Sequence, residues 1–424
     1  MKKQIFEGFA DESYVKAELP SGLQIFIMEK PQFSSNYAIF GTKYGSIDTK
    51  FSKNGEEEIC VPEGIAHYLE HKLFESEDGD AFSKYAKTGA SANAFTSFDR
   101  TCYLFSCSDN FYENLDILLK FVQSPYFTPE TVQKEQGIIG QEIRMYDDNP
   151  GWCVMFNLLK AMYHTHPVKI DIAGTVESIA QIDAPLLYKC YETFYNPSNM
   201  FICLVGNFDT DTALKQIKKS IIDRESVEII RGEFDEPDNI VQNYVEQKLA
   251  VNTPMFCFGY KQKIASPYRR LKSKICVNLL LEIICGDASP LYARLMNEGL
   301  INDDFDSEYF AGNGYAAVIF EGESKDPKRV AELIKEEISR LRVEGIDKKL
   351  FSAVKCGMYG NMVRRFNSVE ALCMQLCECA ISEYGLFDEL KQLKAVSYDD
   401  VLKRLDVFSD QNAVLSVINP QEEC

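Results

Sequence analysis

The sequence has only four histidines among its 424 residues, and it has no long apolar run. A membrane-spanning helix needs roughly 20 consecutive apolar residues, and the longest candidate, Ile275 to Cys285, is interrupted by Asn278 and Glu282. The N-terminus carries Lys2 and Lys3, but acidic residues follow before an apolar segment forms, so a signal peptide is not predicted. We therefore expect a cytoplasmic protein without a membrane anchor.

Basic residues are also in short supply relative to acidic ones. The chain has 45 lysines and arginines against 64 aspartates and glutamates, which gives a formal charge of −19. A surface of this sign repels phosphate backbones, so nucleic acid is not an expected partner. The same charge would attract cationic peptides, or it would serve only to keep the protein soluble. The sequence leaves both interpretations open.

Several common catalytic and nucleotide-binding motifs are absent. There is no G-x-x-x-x-G-K-[ST] segment and no strand-associated G-x-G-x-x-G segment, so nucleotide binding is not indicated. There is no G-x-S-x-G segment either, so serine-hydrolase chemistry is not indicated. The 14 cysteines lie mainly in apolar segments, and their closest group, Cys373, Cys377 and Cys379, contains no C-x-x-C pair and no nearby histidine. Reduced thiols in a protein core are therefore predicted, in place of disulfides or a structural zinc site.

Two of the four histidines stand four residues apart in the segment HYLEH, residues 67–71. On an α-helix, positions i and i+4 project from one face, so the imidazoles of His67 and His71 could bind one ion. Glu70 precedes the second histidine, which gives the inverted zinc-protease pattern H-x-x-E-H. A chance meeting of two unrelated histidines is the alternative, but the scarcity of histidine and the spacing favour a ligand pair. The other pair, His164 and His166, precedes a proline and is predicted to have a structural role in a loop.

A third ligand must come from elsewhere, because a catalytic zinc usually takes three protein ligands and leaves a further position for water. The best candidates are Glu135 and Glu142, seven residues apart in a predicted helix. Seven residues make about two helical turns, so both carboxylates would face the same way, and the spacing does not choose between them. Ile138 and Ile139 would help to seat this helix in the core. For either glutamate, the alternative is an ordinary solvated helix face.

The chain is predicted to have two halves joined by a linker. Residues 1–225 would form a metal-binding domain, the acidic segment 226–245 would form the linker, and residues 246–424 would form the second domain. The second half weakly repeats the pattern of the first, with the segment LLLEI (279–283) opposite HYLEH (67–71). Because apolar residues replace both histidines there, the second domain is not expected to bind metal.

The metal segments resemble those of a known family. HYLEH and EQGIIGQE (135–142) are similar to the two metal-binding segments of the pitrilysin/insulinase family of zinc metallopeptidases. The similarity spans nearly the whole chain, with the second half more loosely matched. It implies one Zn²⁺ per chain, held by the two histidines and Glu142, with Glu135 supporting the site. It also implies an α+β fold of two homologous domains, each a mainly antiparallel sheet with helices packed on it, that form a clam-shell chamber.

The expected reaction is hydrolysis of peptide bonds in short or unfolded peptides. Zinc would activate a water molecule, and Glu70 would accept its proton as general base and pass that proton to the leaving amine. The segment ASANAFTSFDRTCYLF (90–105) resembles the edge strand with which the family pairs substrate backbone. This resemblance implies that Asn93 and Ala94 bind substrate by strand addition.

Two segments are particularly similar to one branch of the family. IGQEIRMYDDNP (139–150) and ANAFTSF (92–98) resemble a cytoplasmic bacterial branch associated with 5-aminopentanol modification of elongation factor P. The alternative to a peptidase is therefore a factor that binds or processes a partner in such a pathway, with little proteolysis of its own. The complete ligand set and Glu70 favour the enzyme, because a binding module has no use for a water-activating site.

One part of the family's active site is not evident in this chain. Members usually complete the site with an arginine and a tyrosine, from a second half or a partner subunit, that bind substrate and stabilise the oxyanion. Tyr315 is a candidate for this tyrosine, yet residues 295–314 contain no arginine. A strand residue that faces the core is the alternative for Tyr315. We therefore predict a dimer, either a homodimer or a heterodimer with a related non-catalytic subunit that supplies the missing groups.

Overall fold

The structure, a computed structural model, describes residues 1–9, 11–77, 79–263, 270–382 and 384–421. By contact the chain forms two units, each with one main β-sheet and helices packed on it. The expected α+β class is therefore confirmed. Unit 1 comprises Met1–Ile143, Asp171–Glu233 and Arg364–Phe387, and unit 2 comprises Arg144–Ile170, Phe234–Val363 and Asp388–Cys424.

Within the described ranges, the strands are β1 (Lys2–Glu7), β2 (Ser13–Glu18), β3 (Gln24–Glu29), β4 (Asn36–Thr42), β5 (Lys50–Lys53), β6 (Ile59–Cys60), β7 (Glu75–Ser76), β8 (Gly79–Asp80), β9 (Ser91–Thr96), β10 (Thr101–Cys107), β11 (Met200–Gly206), β12 (Ile229–Arg231), β13 (Tyr244–Leu249), β14 (Met255–Lys261), β15 (Asp306–Gly312), β16 (Tyr315–Glu323) and β17 (Ala413–Pro420).

The helices in the same ranges are α1 (Ile65–Leu73), α2 (Ala81–Thr88), α3 (Phe111–Val122), α4 (Pro129–Asp147), α5 (Pro150–Met162), α6 (Val176–Ile179), α7 (Ala184–Phe194), α8 (Thr210–Ser220), α9 (Arg270–Cys285), α10 (Pro290–Asn297), α11 (Pro327–Glu344), α12 (Lys348–Arg364), α13 (Val369–Ile381), α14 (Asp388–Ala395) and α15 (Tyr398–Leu402).

The sheet of unit 1 has the order β1-β2-β3-β11-β4-β10-β9. Its neighbouring strands are antiparallel except for β3 and β11, which are parallel. The central strands β4 (NYAIFGT) and β11 (MFICLVG) are buried along their whole length, in keeping with their mostly apolar sequences. β9 lies at one edge of the sheet, so within the described ranges one side of its backbone has no partner strand.

Helix α1 carries HYLEH and packs on β9 and β10. It follows Gly64, which has a left-handed φ of 85°. A Cβ at Gly64 would lie 2.3 Å from the carbonyl oxygen of Ala173, so only glycine fits this close approach. Ile65, Leu69 and Leu73 follow at helical spacing and are buried. α1 is therefore a core helix, and its polar residues are held in a largely enclosed position.

Helix α4 brings the second metal segment to α1. Val132, Ile139 and Ile143 are buried in the same hydrophobic core as α1, and the hydroxyl of Tyr68 donates to the backbone carbonyl of Val132. The prediction that both isoleucines seat this helix is wrong for Ile138, which is 45% exposed while Ile139 is fully buried. Adjacent helix positions differ by about 100°, so only one of the two can face the core directly.

The sheet of unit 2 has the order β13-β17-β14-β16-β15. β13 and β17 are parallel, and the other neighbours are antiparallel. This order matches β3-β11-β4-β10-β9 of unit 1 strand for strand, including the parallel pair. α9 packs on β15 as α1 packs on β9, but α9 has the buried apolar residues Leu279 and Ile283. The second half thus repeats the topology of the first without its histidines.

The contact units depart from the predicted ranges 1–225, 226–245 and 246–424. α5, from the first half, packs on β13, β14 and β17, whereas α13, from the second half, packs on β3, β4 and β11. Each sheet is therefore covered in part by a helix from the other half of the chain. A helix buries its apolar face on the sheet that it reaches, and this choice is not limited by sequence order.

Helix α9 contains the longest apolar run of the sequence. No helix in the described part of the chain has by itself the length and apolar character needed to cross a membrane. The bent pair α9 and α10 meets that test of length and composition when the two are taken together. Ile275, Leu280 and Ile284 of α9 are buried within the protein.

Candidate metal centre

Three of the predicted site residues meet where α1 and α4 face each other. Nε2 of His67 lies 3.7 Å from Oε1 of Glu142, and Nε2 of His71 lies 3.3 Å from Oε2 of the same carboxylate. One ligand atom from each residue lies within 4.8 Å of the other two. Across the described residues, this is the one group of three or more histidine, cysteine, aspartate or glutamate side chains close enough to share a metal ion.

The spacing and chemistry of this group fit a zinc ion. Zinc bonds imidazole nitrogen and carboxylate oxygen at about 2.0–2.2 Å in a tetrahedron, which separates neighbouring ligand atoms by about 3.4 Å. The observed separations of 3.7 and 3.3 Å bracket this value. Two imidazoles and one carboxylate also leave a fourth position for water, as catalytic zinc sites do.

Glu135 lies against one of the histidines rather than among the ligand atoms. Its Oε1 is 3.0 Å from Nδ1 of His71. Nδ1 therefore carries a proton that it donates to the carboxylate, and Nε2 is left to face Glu142. The Glu135 side chain is 8% exposed, whereas that of Glu142 is 22% exposed. His67 has no equivalent support, because its buried Nδ1 has no hydrogen-bond partner within the described ranges.

The charges around the histidines favour a cation. Burial acts to lower the pKa of His71, but hydrogen bonds to Glu135 and Glu142 raise it to about 10. Burial and the nearby charge of His71 lower the pKa of His67. Positive charge is thus stabilised beside the two carboxylates. Metal ions compete with protons for histidine nitrogen, so zinc affinity at this site is expected to fall in acid.

Glu70 lies on the same helix as the two histidines. Its side chain is buried, and Oε2 accepts a hydrogen bond of 2.7 Å from the hydroxyl of Thr96. Burial raises the pKa of Glu70, while the hydrogen bond from Thr96 and the charge of His71 act to lower it. A carboxylate with a raised pKa is suited to accept and release a proton near neutral pH.

The predicted substrate strand is the edge strand β9. Asn93 is exposed, and its Oδ1 accepts a hydrogen bond of 2.9 Å from the backbone N–H of Ala94. Ala92 and Ala94 pack against the core of unit 1. An edge strand presents N–H and C=O groups with which an extended peptide can pair. The edge position of β9 is compatible with substrate binding. That Asn93 and Ala94 bind substrate stays a prediction.

Tyr315 begins β16 in unit 2, and its side chain is buried. Its ring centroid lies 4.9 Å from that of Phe310 and 5.5 Å from that of His166. Nδ1 of His166 accepts a hydrogen bond of 3.1 Å from the N–H of Val168, so Nε2 carries the proton and donates to the carbonyl of Asn313 at 2.9 Å. His166 therefore has the predicted structural role. A substrate contact by Tyr315 stays a prediction.

The cysteines in the described residues are free thiols. Cys373, Cys377 and Cys379 are buried, and Sγ of Cys373 lies 3.3 Å from the carbonyl oxygen of Cys203. Among the described side chains, none of these thiols joins a group that could hold a metal ion. The prediction of core thiols is confirmed for this group, whereas Cys60 and Cys356 are exposed.

Sequence reasoning missed Thr96, the residue that contacts Glu70. The available signal was its spacing from Ala94, because alternate residues of a strand point to one face. That signal identifies a contact only when the element on that face is known. Thr101, opposite Thr96 on β10, is fully buried, and the sequence gives no comparable sign of it.

Comparison with known proteins extends this description. Residues 59–176 match the model of the insulinase family (peptidase family M16), and residues 181–358 match a model described as peptidase M16 inactive domain. The uncharacterized zinc protease YmfH of Bacillus subtilis (strain 168) is 41% identical over 419 residues, which cover 96% of this chain and 97% of YmfH.

Solved structures share the fold. An M16-like peptidase from Alicyclobacillus acidocaldarius has a TM-score of 0.93 at 32% identity, and the match covers 97% of this chain and 99% of that one. Pitrilysin has a TM-score of 0.75 at 19% identity, and the match covers 99% of this chain and 47% of pitrilysin. The likeness to pitrilysin concerns the fold alone.

The fold and the H-x-x-E-H helix define a protein of the zinc metallopeptidase class. The identity to YmfH over nearly the full length of both chains specifies it further: this chain belongs to the insulinase family, peptidase family M16. The similar proteins from Bacillus subtilis are named zinc proteases, so zinc is the metal that the comparisons associate with such a site.

Proposed function

We propose that this chain is a zinc metalloendopeptidase that hydrolyses peptide bonds in short or unfolded peptides. The observation that carries the proposal is the group of His67, His71 and Glu142, whose ligand atoms lie within 4.8 Å of one another, with the buried carboxylate of Glu70 on the same helix as the histidines. A structural zinc site is closed by four protein ligands, whereas three ligands and a neighbouring base are typical of a hydrolytic site.

Each residue of the site has a separate task. His67, His71 and Glu142 would hold the zinc ion, which would supply the Lewis acidity that makes water reactive near neutral pH. Glu70 accepts the proton of the attacking water and donates it to the amine that leaves the peptide bond. Glu135 holds His71 in one tautomer through Nδ1.

The proposed substrate binds as an additional strand on β9. A peptide that pairs with an edge strand must be extended, and a short or unfolded chain reaches this conformation without the unfolding of a domain. Because main-chain groups make most of the pairing, we expect a broad sequence preference. The formal charge of −19 would favour basic peptides among these substrates.

We also propose a cytoplasmic location and a dimer. Free thiols in the described residues support a reducing compartment. The lack of arginine in residues 295–314, before Tyr315, supports a second chain that contributes groups to the site. This chain matches 47% of pitrilysin, or about half of its length. Two chains of this size would therefore together have about the length of one pitrilysin chain. That second chain would be an identical copy or a related non-catalytic subunit.

A second candidate is a weakly proteolytic factor in a protein-modification pathway such as that of elongation factor P. The burial of Tyr315 against Phe310 and His166 favours it, because a site without oxyanion-stabilising groups hydrolyses slowly. The resemblance of segments 92–98 and 139–150 to the corresponding branch of the family is its support in the sequence.

Metal analysis and a peptide-library digest test the first proposal. The purified chain should contain about one zinc ion and should cleave unfolded peptides in a reaction that a chelator stops and added zinc restores. Glu70→Gln should keep the metal and lose hydrolysis, because an amide keeps the shape of the side chain but cannot accept the proton. Glu130→Gln, at an exposed position of α4, is the control and should change neither.

Two results would contradict the proposal. Near-normal turnover by Glu70→Gln would show that Glu70 is not the general base. A zinc-loaded chain that cleaves no peptide in the library, alone or with a partner subunit, would leave the second candidate as the better interpretation.

A further inference from the structure

Glu70 is held by a residue that lies outside the zinc-protease motif. Thr96 of β9 donates its hydroxyl proton to Oε2 of Glu70 at 2.7 Å. The Glu70 carboxylate is buried, and a hydrogen bond in such surroundings is stronger than one in water. The direction of this carboxylate therefore depends on Thr96.

The Thr96 hydroxyl lies beside a second threonine hydroxyl on the neighbouring strand. Oγ1 of Thr101 lies 3.3 Å from Oγ1 of Thr96 and donates to the backbone carbonyl of Tyr44 at 2.9 Å. A threonine hydroxyl has one proton. Because Thr101 directs its proton at Tyr44, its Oγ1 can only accept from Thr96. The proton of Thr96 goes to the nearer acceptor, the Glu70 carboxylate at 2.7 Å.

Thr96 also faces the free edge of the sheet. The N–H of Ser97 donates to the carbonyl of Arg100 at 2.8 Å, so these two residues form the hydrogen-bonded pair that closes the β9–β10 hairpin. Hydrogen-bonded and non-hydrogen-bonded pairs alternate along an antiparallel ladder. Thr96 and Thr101 are therefore a non-hydrogen-bonded pair, and the N–H and C=O of Thr96 point away from β10. Ala94, two residues earlier, has the same orientation.

We propose that Thr96 is a positioning residue that holds Glu70 in the direction required for proton transfer and couples this direction to peptide binding on β9. The inference rests on the proposed function, because it concerns the residue that hydrogen-bonds the proposed general base, Glu70. The hydroxyl and the backbone N–H of Thr96 both donate to the Glu70 carboxylate, while its carbonyl points to the edge of the sheet and can accept a hydrogen bond from the peptide. A single residue, Thr96, thus contacts both the bound peptide and the general base. Loss of the hydroxyl should slow the chemical step and leave the metal in place.

Substitutions at Thr96 separate the hydroxyl from the rest of the side chain. Thr96→Val keeps the β-branched shape, Thr96→Ala is a smaller variant without the hydroxyl, and Thr96→Ser keeps the hydroxyl. For Val and Ala we expect kcat to fall by about 10- to 100-fold, as for other residues that orient catalytic groups. KM should change by less than about twofold, because the lost interaction serves the transition state. Thr96→Ser should restore most of kcat.

A matched control and two readouts independent of turnover complete the experiment. Thr212→Val removes another hydroxyl that bonds a carboxylate, that of Asp209, on the remote helix α8, and it should leave kcat unchanged. Zinc content should be equal in all variants. In crystal structures, the Glu70 carboxylate should leave its position in Thr96→Val and Thr96→Ala and keep it in Thr96→Ser.

Several outcomes would overturn the inference. These are an unchanged kcat in the variants without the hydroxyl, a loss that Thr96→Ser does not rescue, a loss of zinc, and an unmoved Glu70 carboxylate. If the wild-type protein itself hydrolyses no peptide, the proposed function fails, and the position of Glu70 in the crystal structures decides the inference about Thr96 separately.

Discussion

Three carboxylates surround the two histidines, and each has a different neighbour. Glu142 faces Nε2 of both imidazoles, Glu135 contacts Nδ1 of His71, and Glu70 accepts a hydrogen bond from Thr96. The groups are chemically alike, so their burial and hydrogen bonds determine what each can do. At the scale of residues, the site is therefore defined by contacts as well as by the H-x-x-E-H motif.

Glu142→Gln should weaken zinc retention more than Glu135→Gln does. An amide in place of Glu142 removes the anionic ligand itself, whereas the change at Glu135 removes only the hydrogen bond that orients His71. Loss of such an orienting partner costs about 10- to 100-fold in metal affinity, and loss of the ligand should cost more. Competition with a chromogenic chelator measures both, with Glu130→Gln as control. Equal affinities of the two variants would contradict the assignment of Glu142 as ligand.

The sequence predicts part of this site for reasons that are local. The contact between His67 and His71 follows from helical spacing alone, because i and i+4 share a face. Helical spacing does not decide whether Glu135 or Glu142 is the third ligand, because both lie on one face of α4 and differ only in their neighbours on α1. Thr96 could not be predicted because its contact with Glu70 depends on how a strand and a helix distant in sequence pack together.

At the scale of elements, the edge position of β9 allows a specific test of strand addition. Ala94 points its N–H away from β10, where it donates to Oδ1 of Asn93 and where a bound peptide would take the place of that oxygen. Ala94→Pro should therefore remove one outward donor while the β9–β10 ladder remains; proline is tolerated on edge strands in this orientation. Peptide binding should weaken and KM should rise by about 10-fold, the effect of about one lost hydrogen bond. Steady-state kinetics would measure the rise.

Phe95→Pro is the matched comparison on the same strand. The backbone N–H and C=O of Phe95 are directed at Cys102 of β10. Proline at this position removes a hydrogen bond of the β9–β10 ladder, so the melting temperature should fall. A KM for Ala94→Pro equal to that of the wild type, with zinc retained, would exclude pairing of the substrate with this edge.

The later part of the segment predicted as a linker, which belongs to unit 2, is held by a buried ion pair. Glu236 accepts hydrogen bonds from the backbone N–H groups of His164, Thr165 and His166, and from Nζ of Lys261. Burial acts to raise the pKa of Glu236, but these bonds lower it to about 2. Nζ of Lys261 also donates to the carbonyls of Pro237 and Asn239. These contacts hold the chain ahead of β13 in place.

Glu236→Gln should destabilise the protein by about 3 kcal/mol at neutral pH, since it leaves Lys261 charged and buried without its partner. The folded pKa of Glu236 lies below that of the unfolded chain, so the stabilisation is complete above about pH 4.5 and is lost as the pH falls towards 2. Urea unfolding at pH 7 and at pH 3 should show a smaller difference between wild type and variant in acid. Glu233→Gln, at an exposed position, is the control, and a difference that grows in acid would contradict this account.

Element packing is where prediction from sequence fails most clearly. The strand pattern and the repeat of HYLEH by LLLEI indicate two similar halves, and the two sheets have matching strand orders. The packing of α5 and α13, each on the sheet of the other half, has no signature in sequence, because apolar helix faces do not encode which apolar sheet they cover.

At the scale of the whole molecule, the two units share a sheet topology, and among the described residues a group that could hold a metal ion occurs in unit 1 alone. In unit 2, Leu279 and Ile283, which the sequence pattern matches to His67 and His71, are buried. A buried apolar helix stabilises a domain without the cost of enclosing polar side chains. Under the proposal of a dimer, the lack of arginine before Tyr315 indicates which group the second chain would have to supply.

The chain should therefore bind zinc by itself yet cleave peptides slowly, and a second subunit should raise its turnover. An arginine or other donor from that subunit would stabilise the oxyanion, and loss of one such donor costs about 100- to 1000-fold in kcat. Light scattering in the assay buffer would give the oligomeric state, and kcat would be measured at increasing chain concentration for a homodimer, or with a related non-catalytic M16 chain added for a heterodimer. The activating chain should still work after its own metal residues are replaced, because its contribution lies elsewhere. Full activity from a strict monomer would show that this chain needs no partner.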